Sequence, residues 1–379
     1  MIFDYEILKM IWWLFVGVLL IGFAITDGMD MGVGNLLPFV GKTDDERRVM
    51  INTVGPHWDG NQVWLITAGG AIFAAWPAVY AAAFSGFYFA MLLVLFALFF
   101  RPVGFDYRSK LGDERWRKAW DWGLFAGGAI PSLVFGVAFG NLILGVPFHL
   151  DEYLRPYYTG SFWALLNPFA LLAGVVSFSM LTMHGGMWIQ MRTKGEISER
   201  TKTWITYAGI VAMLAFALAG LWLMLGIDGF KIVNQPALDA LPNPLAKTVE
   251  ITEGAWLSNY ASYPLTIIFP LLGFVGMLGT IMMSRRDRPG LGFVSSSLAI
   301  VGVIMTAGVS LFPFIMPSST NPDHSFTIWD ACSSHLTLTI MFWATVIFLP
   351  IVLSYTIWNY HKMWGRLSVE EMKDRFSAY

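Results

Sequence analysis

The chain has 379 residues, 56% hydrophobic and only 13% charged, with a mean hydropathy of +0.58 and a net charge of −2. A soluble domain carries about a quarter charged residues, so repeated apolar runs of ~20 residues point to a polytopic membrane protein. The near-neutral balance offers no basic surface for nucleic acid, and the single cysteine, Cys332, excludes an intrachain disulfide and a thiolate metal cluster.

Nine stretches read as membrane helices: 11–37, 57–76, 79–100, 121–143, 162–190, 204–226, 262–284, 291–315 and 334–360. The expected fold class is an all-α integral membrane protein of about nine transmembrane helices. We expect one polytopic domain over 1–379, laid out as two four-helix bundles plus one extra helix. The first run leads into Thr26-Asp27-Gly28 with no small-residue cleavage site, so it should stay as a helix. It is long enough to tilt or break at Gly28, Gly32 and Gly34. An ionic loop, Thr43–Arg48, separates it from the second run, which is the least hydrophobic. Trp76-Pro77 then makes a tight turn into the third. Segments 144–161, 227–261 and 316–333 read as ordered loops, the second interrupted by Pro236, Pro242 and Pro244. No fixed-period repeat and no glycine-rich phosphate loop is present.

Orientation follows from Lys and Arg in the connections. With the N-terminus outside, only Lys9, Arg155, Lys231 and Lys247 of the 24 basic residues fall outside. The inner segments hold the rest, Lys373 and Arg375 of the C-terminal tail included. If 57–76 did not cross, Lys42, Arg47 and Arg48 would move outside and Lys9 inside, a poorer split.

This topology brings three polar places to the inner half of the membrane. The first helix carries Asp27 and Asp30. The second opens with His57-Trp58-Asp59-Gly60-Asn61-Gln62-Val63-Trp64. The third ends at Arg101, followed by Asp106. Ionisable groups in membrane segments are rare and costly, which makes them functional candidates. Asp59, Asp30, Asp27 and Asp106 could relay protons with water, Arg101 holding one carboxylate ionised. The structural alternatives are a static ion pair from Arg101 to Asp30 or Asp59, or polar caps on helix ends that face water. His57, Trp58 and Arg101 could surround a quinone headgroup, with donors for its carbonyls and an indole to stack on its ring. Their bland alternative is an interfacial indole and a water-exposed imidazole. Of six His, only His184 is clearly intramembrane, and a lone membrane His is more often hydrogen-bonded within the bundle than bound to haem. No metal site is assigned.

These motifs carry a resemblance. Ile11-Trp12-Trp13-Leu14, Thr26-Asp27-Gly28-Met29-Asp30-Met31-Gly32, the His57–Trp64 run and Phe100-Arg101-Pro102-Val103-Gly104-Phe105-Asp106-Tyr107-Arg108 resemble subunit II of cytochrome bd quinol oxidases. So do Phe139-Gly140-Asn141 and Phe312-Pro313-Phe314-Ile315-Met316-Pro317-Ser318-Ser319, and the likeness is closest to the proteobacterial ubiquinol-using branch. The resemblance implies a non-haem subunit of a terminal oxidase of the bacterial inner membrane, which oxidises ubiquinol, reduces oxygen to water and generates proton-motive force. Subunit I would be the partner and would ligate two haems b and one haem d and carry the quinol-oxidation site. Subunit II would match it in fold and pack against it with pseudosymmetry. Small single-helix accessory subunits and membrane lipid complete the expected partners. The resemblance further implies a structural ubiquinone in this subunit and a cytoplasmic proton path. Asp59 would be the main carrier, with Asp30, Arg101 and Asp106 nearby. His57 and Trp58 would sit beside the path and line the quinone pocket. A proton-coupled transporter and a purely structural scaffold are the competing readings.

The charge asymmetry makes a direct forecast: N-terminus periplasmic, C-terminus cytoplasmic, nine crossings. Reporter fusions after Lys42 and after Lys110 should both read cytoplasm; a periplasmic signal after Lys42 would leave eight crossings and reverse the side of Asp59.

Overall fold

The structure is a computed structural model that describes residues 3–370; Lys373 and Arg375, assigned above to the inner side, lie outside the described residues. The described chain forms α1 (Tyr5–Val40), α2 (Asp44–Asn52), α3 (Trp58–Ala75), α4 (Pro77–Gly86), α5 (Tyr88–Tyr107) and α6 (Glu114–Leu144). It continues through α7 (Pro168–Arg192), α8 (Glu196–Gly226), α9 (Ser258–Ser262), α10 (Ile268–Arg285), α11 (Pro289–Leu311) and α12 (His335–Lys362). Among these residues eight helices are long and apolar enough to cross a membrane: α1, α5, α6, α7, α8, α10, α11 and α12. The ninth, α3, is 18 residues long and falls short on composition, because Asp59, Asn61 and Gln62 occupy its first turn. At 1.5 Å per residue it is about 27 Å long, close to the ~30 Å of a hydrocarbon core.

Three expectations change in detail. The ionic stretch after α1 is a helix, α2, closed by a reciprocal capping box between Thr43 and Glu46. The third crossing begins at Tyr88, since residues 77–86 form the separate short helix α4. Lastly, α1 runs unbroken through Gly28, Gly32 and Gly34. Two of those glycines serve close approach: a Cβ on Gly32 would lie 2.1 Å from the Leu181 carbonyl oxygen, and one on Gly34 would lie 2.8 Å from that of Leu124.

Packing sorts the long helices into two groups of four. In the first, α1 lies against α3 and α6, and α5 against α6; in the second, α7 pairs with α8 and α11, and α10 with α8 and α11. The groups join where α1 and α6 meet α7. The extra helix is α12, which touches α1 and α3 only lightly.

All the basic connections collect at one end. Arg200 of α8 pairs with Glu46 of α2, Lys202 with Asp287 beyond α10, and Arg192 of α7 donates to the Met363 carbonyl. The opposite end carries three antiparallel hairpins: β1 (Phe148–Leu150) with β2 (Pro156–Tyr158), β3 (Gly229–Asn234) with β4 (Thr248–Thr252), and β5 (Phe314–Met316) with β6 (Phe326–Thr327). Gly145, at φ 83°, supplies the left-handed turn that ends α6 and starts this layer. Buried Lys9 of α1 holds the layer down. Its ammonium donates to the carbonyls of Leu238 (2.8 Å), Trp329 (2.9 Å) and Ala240 (3.2 Å), which uses all three of its protons. Lys247 pairs with Asp330 at 2.9 Å in the same layer; burial pushes the Asp330 carboxyl up and the Lys247 ammonium down, against their mutual attraction.

The crossing of α1 on α7 is close: a Cβ on Gly185 would lie 2.4 Å from the Gly32 backbone. Gly185→Val should therefore force the helices apart, with overpacking of about 1–3 kcal/mol or more. The check is the yield and thermal midpoint of protein extracted from membranes. Gly17→Val, with nothing within 4 Å of its Cβ, is the control and should behave as wild type.

Candidate functional site

Asp27 and Asp30 are three residues apart on α1, so they share a face, and that face is turned inward: their exposures are 0% and 2%. Arg101 of α5 reaches them from the side. Its Nη1 donates to Asp27 Oδ2 at 2.9 Å and its Nη2 to Asp27 Oδ1 at 2.5 Å, a bidentate fork. Asp30 is further away, with Oδ2 3.7 Å from Nη2. The Asn61 amide of α3 donates to that same Oδ2 at 2.8 Å, and the Tyr360 hydroxyl of α12 donates to Asn61 Oδ1 at 2.5 Å. Four helices thus meet in one cluster of hydrogen bonds and ion pairs. One guanidinium faces two carboxylates, so the cluster holds either a surplus negative charge or one proton. Asp30 Oδ1 is buried and has no protein partner. A void of about 10 Å³, lined by Asp30, Arg101, Gly34, Phe105, Leu124 and Gly128, adjoins the cluster, roughly the room one water needs.

The other expected residues fall into two sets. Trp58 belongs with the cluster: its ring lies against Phe105 at 5.3 Å and 5.7 Å from the Arg101 guanidinium carbon. His57 is buried at the start of α3, stacked on Tyr360 at 4.6 Å and edge-on to Trp188 at 5.6 Å, with both ring nitrogens unpartnered. Asp59 and Asp106 do not join. Both are exposed on the surface of this chain, on α3 and α5 respectively. The partner of Arg101 is therefore Asp27, neither Asp59 nor, in the first place, Asp30.

His184 sits within α7 with both ring nitrogens engaged: Nε2 is 2.9 Å from the Ile25 carbonyl, and Nδ1 is 2.7 Å from Ser296 Oγ. The ring is stacked on Phe293 at 4.6 Å. This is the hydrogen-bonded core histidine that its isolation in the sequence suggested. Further toward the hairpin end, α1, α6, α7, α8 and α11 enclose an apolar cavity of about 200 Å³, with Phe23, Phe135, Gly140 and Phe216 among its walls and Ser177 and Thr306 as rare hydroxyls. His57, Trp58 and Arg101 do not line it.

Comparison with known proteins decides the family. The sequence profile of cytochrome bd terminal oxidase subunit II matches residues 8–363. The chain belongs to the cytochrome bd terminal oxidase subunit II family. It is 58% identical over 370 residues to cytochrome bd-I ubiquinol oxidase subunit 2 of Escherichia coli K12, covering 98% of each chain. It is 54% identical over 377 residues to the probable cytochrome oxidase subunit 2 of Haemophilus influenzae, covering 99% of this chain and all of that one. A chain of the bd oxidase structure from Geobacillus thermodenitrificans shares the fold, with a TM-score of 0.65, 13% identity and coverage of 92% and 96%.

For this bd oxidase subunit, a reading from sequence missed Tyr360 and the partner choice of Arg101. Tyr360 is 299 residues from Asn61, near the end of an apolar run where aromatics are commonplace, so nothing local marks it. A weak signal did exist for Asp27: it and Asp30 are one helical turn apart, so any arginine reaching one had to meet the other. In the assembled oxidase, Arg101→Leu should remove the only cation within the cluster. Leaving two buried carboxylates without their counter-charge costs about 3–5 kcal/mol. The expected result is a sharp loss of assembled complex, whereas normal yields of a fully active one would make Arg101 a bystander.

Proposed function

We propose that this chain is the non-haem subunit of a ubiquinol-oxidising, oxygen-reducing oxidase of the bacterial inner membrane, and that it passes cytoplasmic protons to its haem-bearing partner through Asp59. Membership of the subunit II family implies a haem-containing complex and a subunit I partner. In this reading subunit I ligates the haems b and d and holds the quinol-oxidation site. The N-terminus faces the periplasm and the basic end of the bundle faces the cytoplasm.

One observation supports the relay above the others: Asp59 is exposed, yet it stands in the first turn of α3, a helix about as long as a hydrocarbon core is thick. A carboxylate left facing lipid at that depth is costly, so a protein partner covering this face is the economical arrangement. A carboxylate buried inside its own subunit could not hand a proton across a subunit boundary, but an exposed one can. Gly60 beside it, with nothing within 4 Å of its Cβ, leaves room for water. Asp106 is exposed at the same end of the bundle and would sit near the intake. Asp30 stands behind this face as a further carrier that exchanges protons with the path inside the subunit, with Asp27 and Arg101 as its electrostatic support. Oxygen reduction consumes protons, and an oxidase that builds proton-motive force must draw them from the cytoplasm.

The apolar cavity between α1, α6, α7, α8 and α11 suits the hydrocarbon part of a structural quinone or lipid. A quinone bound in this subunit would be a structural element, with its redox chemistry left to the partner. Among the three headgroup residues named from sequence, His57 keeps free ring nitrogens and Trp58 a partly open ring, while the Arg101 fork is committed to Asp27. The uncovered length of α12 leaves a broad apolar surface for lipid, subunit I or single-helix accessory subunits.

Asp59→Asn keeps the shape and hydrogen bonding of the side chain but cannot release a proton. This variant should assemble with normal haem content, bind oxygen normally and lose turnover by about 10²-fold, the usual scale for a lost proton-transfer group. Asp59→Glu should keep part of the rate. Haem content and oxygen consumption are measured on the same sample: full turnover per haem in Asp59→Asn sinks the relay, and a defect that merely tracks lost haem leaves a scaffold.

A further inference from the structure

We propose that Tyr360 is a positioning residue for Asp30: its hydroxyl sets the orientation of the Asn61 amide, and that amide leaves Oδ1 of Asp30 as the oxygen that takes up and releases a proton. This rests on the reading that the buried acids take part in proton delivery.

The argument starts from the two ends of an amide. Asn61 can present a carbonyl oxygen, which accepts, or an NH2 group, which donates. The Tyr360 hydroxyl donates to Asn61 Oδ1 at 2.5 Å, and that short bond holds the oxygen end of the amide toward Tyr360. With the oxygen turned to Tyr360, the NH2 group is turned to Asp30 and donates to Oδ2 at 2.8 Å. The opposite orientation would set an amide oxygen against a carboxylate, tolerable only with a proton on that carboxylate oxygen. Tyr360 therefore reserves Oδ2 for accepting, and a proton must go to the other oxygen.

That other oxygen is the one with no partner. Asp30 Oδ1 is buried and unbonded, and Asp30 lines the void that has room for about one water. The step balances: an O–H bond of a protonated water breaks as the O–H bond at Oδ1 forms, leaving neutral water, and on release the Oδ1–H bond breaks as a water takes the proton up. The charged and titratable groups facing this carboxyl are Asp27 on α1 and Arg101 on α5, with the Tyr360 phenol of α12 behind Asn61 of α3. His57 and Arg192 of α7 stand behind Tyr360.

Tyr360 is held well enough to act as a fixed donor. Its ring is stacked on His57 at 4.6 Å and meets Trp188 edge-on at 6.1 Å. Just beyond it, Arg192 donates to the Met363 carbonyl at 2.7 Å, and the Leu367 amide donates to the Arg192 carbonyl at 2.7 Å. The foot of α12 is thus pinned to α7, although most of the helix above it is uncovered.

The test uses the intact oxidase. Tyr360→Phe keeps the ring on His57 and removes only the hydroxyl. It should assemble with full haem content, turn over several-fold more slowly, and show a pH profile of turnover displaced by about half a unit, the scale of one lost hydrogen bond. Difference infrared spectra should show the carboxyl band that Asp30→Asn abolishes, moved in Tyr360→Phe. Tyr355→Phe, exposed on the same helix, should leave every readout unchanged. Asn61→Leu should reproduce the displacement, and the double variant should add nothing to it, because both act through one amide. A Tyr360→Phe oxidase with full haem and a superimposable pH profile and carboxyl band overturns the proposal. So does additivity with Asn61→Leu, and should Tyr360→Phe fail to assemble, an Asn61→Leu oxidase with an unshifted profile and band does the same. Full turnover in Asp30→Asn would instead overturn the underlying reading of the buried acids, and so the two failures are distinguishable.

Discussion

The fork from Arg101 to Asp27 is the contact around which the basic half of this subunit is arranged. A guanidinium and two carboxylates have been taken out of water together, and such a group is stable only if every partner is in place. Arg101 arrives from α5, the acids from α1, the supporting amide from α3 and the phenol from α12. None of these helices can rotate or slide by a residue without leaving a buried charged or polar group unpaired. Apolar packing alone would not impose that, because in a membrane the lipid competes on equal terms with a helix face. The ionic cluster thus does for register what small residues do for distance. Gly32 against Gly185 lets α1 approach α7, and Gly34 and Gly128 let α1 approach α6.

The two ends of the molecule are stabilised by different means. At the basic end, short connections are tied by arginine pairs: Arg47 and Arg108 on Asp121, Arg108 and Arg117 on Asp44, and Arg200 on Glu46. At the hairpin end, long connections are tied by backbone: Val146 bridges to Ser318, Lys9 captures three carbonyls, and Ser318 donates to the Phe148 carbonyl. An irregular loop must satisfy its own amides, and here buried side chains from helix ends do much of it. This leaves α12 as the exception. Joined at its start through His335 to the Phe3 carbonyl and at its foot through Tyr360, it packs only lightly against α1 and α3 in between.

Much of this arrangement could be read before the structure. Hydropathy alone located the long helices, and each predicted stretch lies mostly within one of them, because a hydrocarbon core demands about 20 apolar residues in a row. Where the reading slipped, a local rule was outvoted. Residues 77–86 are as apolar as the helix after them, yet they form α4, packed against α3 and β2 at the hairpin end. Glycines at 28, 32 and 34 looked like breaking points, but in α1 they are contact points, since a glycine in a packed helix gains from approach what it loses in propensity.

The candidate site divides the same way. Composition, hydropathy and the Lys and Arg distribution, read from the sequence alone, determined a helical membrane chain with its ionisable residues gathered toward one side. These properties are one-dimensional: they depend on what lies within about 20 residues of each position. Which acid Arg101 grips, which carboxylates turn outward, and that Tyr360 hydrogen-bonds the amide of Asn61 were decided only by tertiary structure. They depend on the rotation of each helix about its axis, and with 3.6 residues per turn a shift of one residue turns a side chain by about 100°. A sequence of uniformly apolar helices carries almost no record of that angle. Only the packing of α1, α3, α5 and α12 against one another sets it, and it puts Asp27 and Asp30 inside and Asp59 and Asp106 outside.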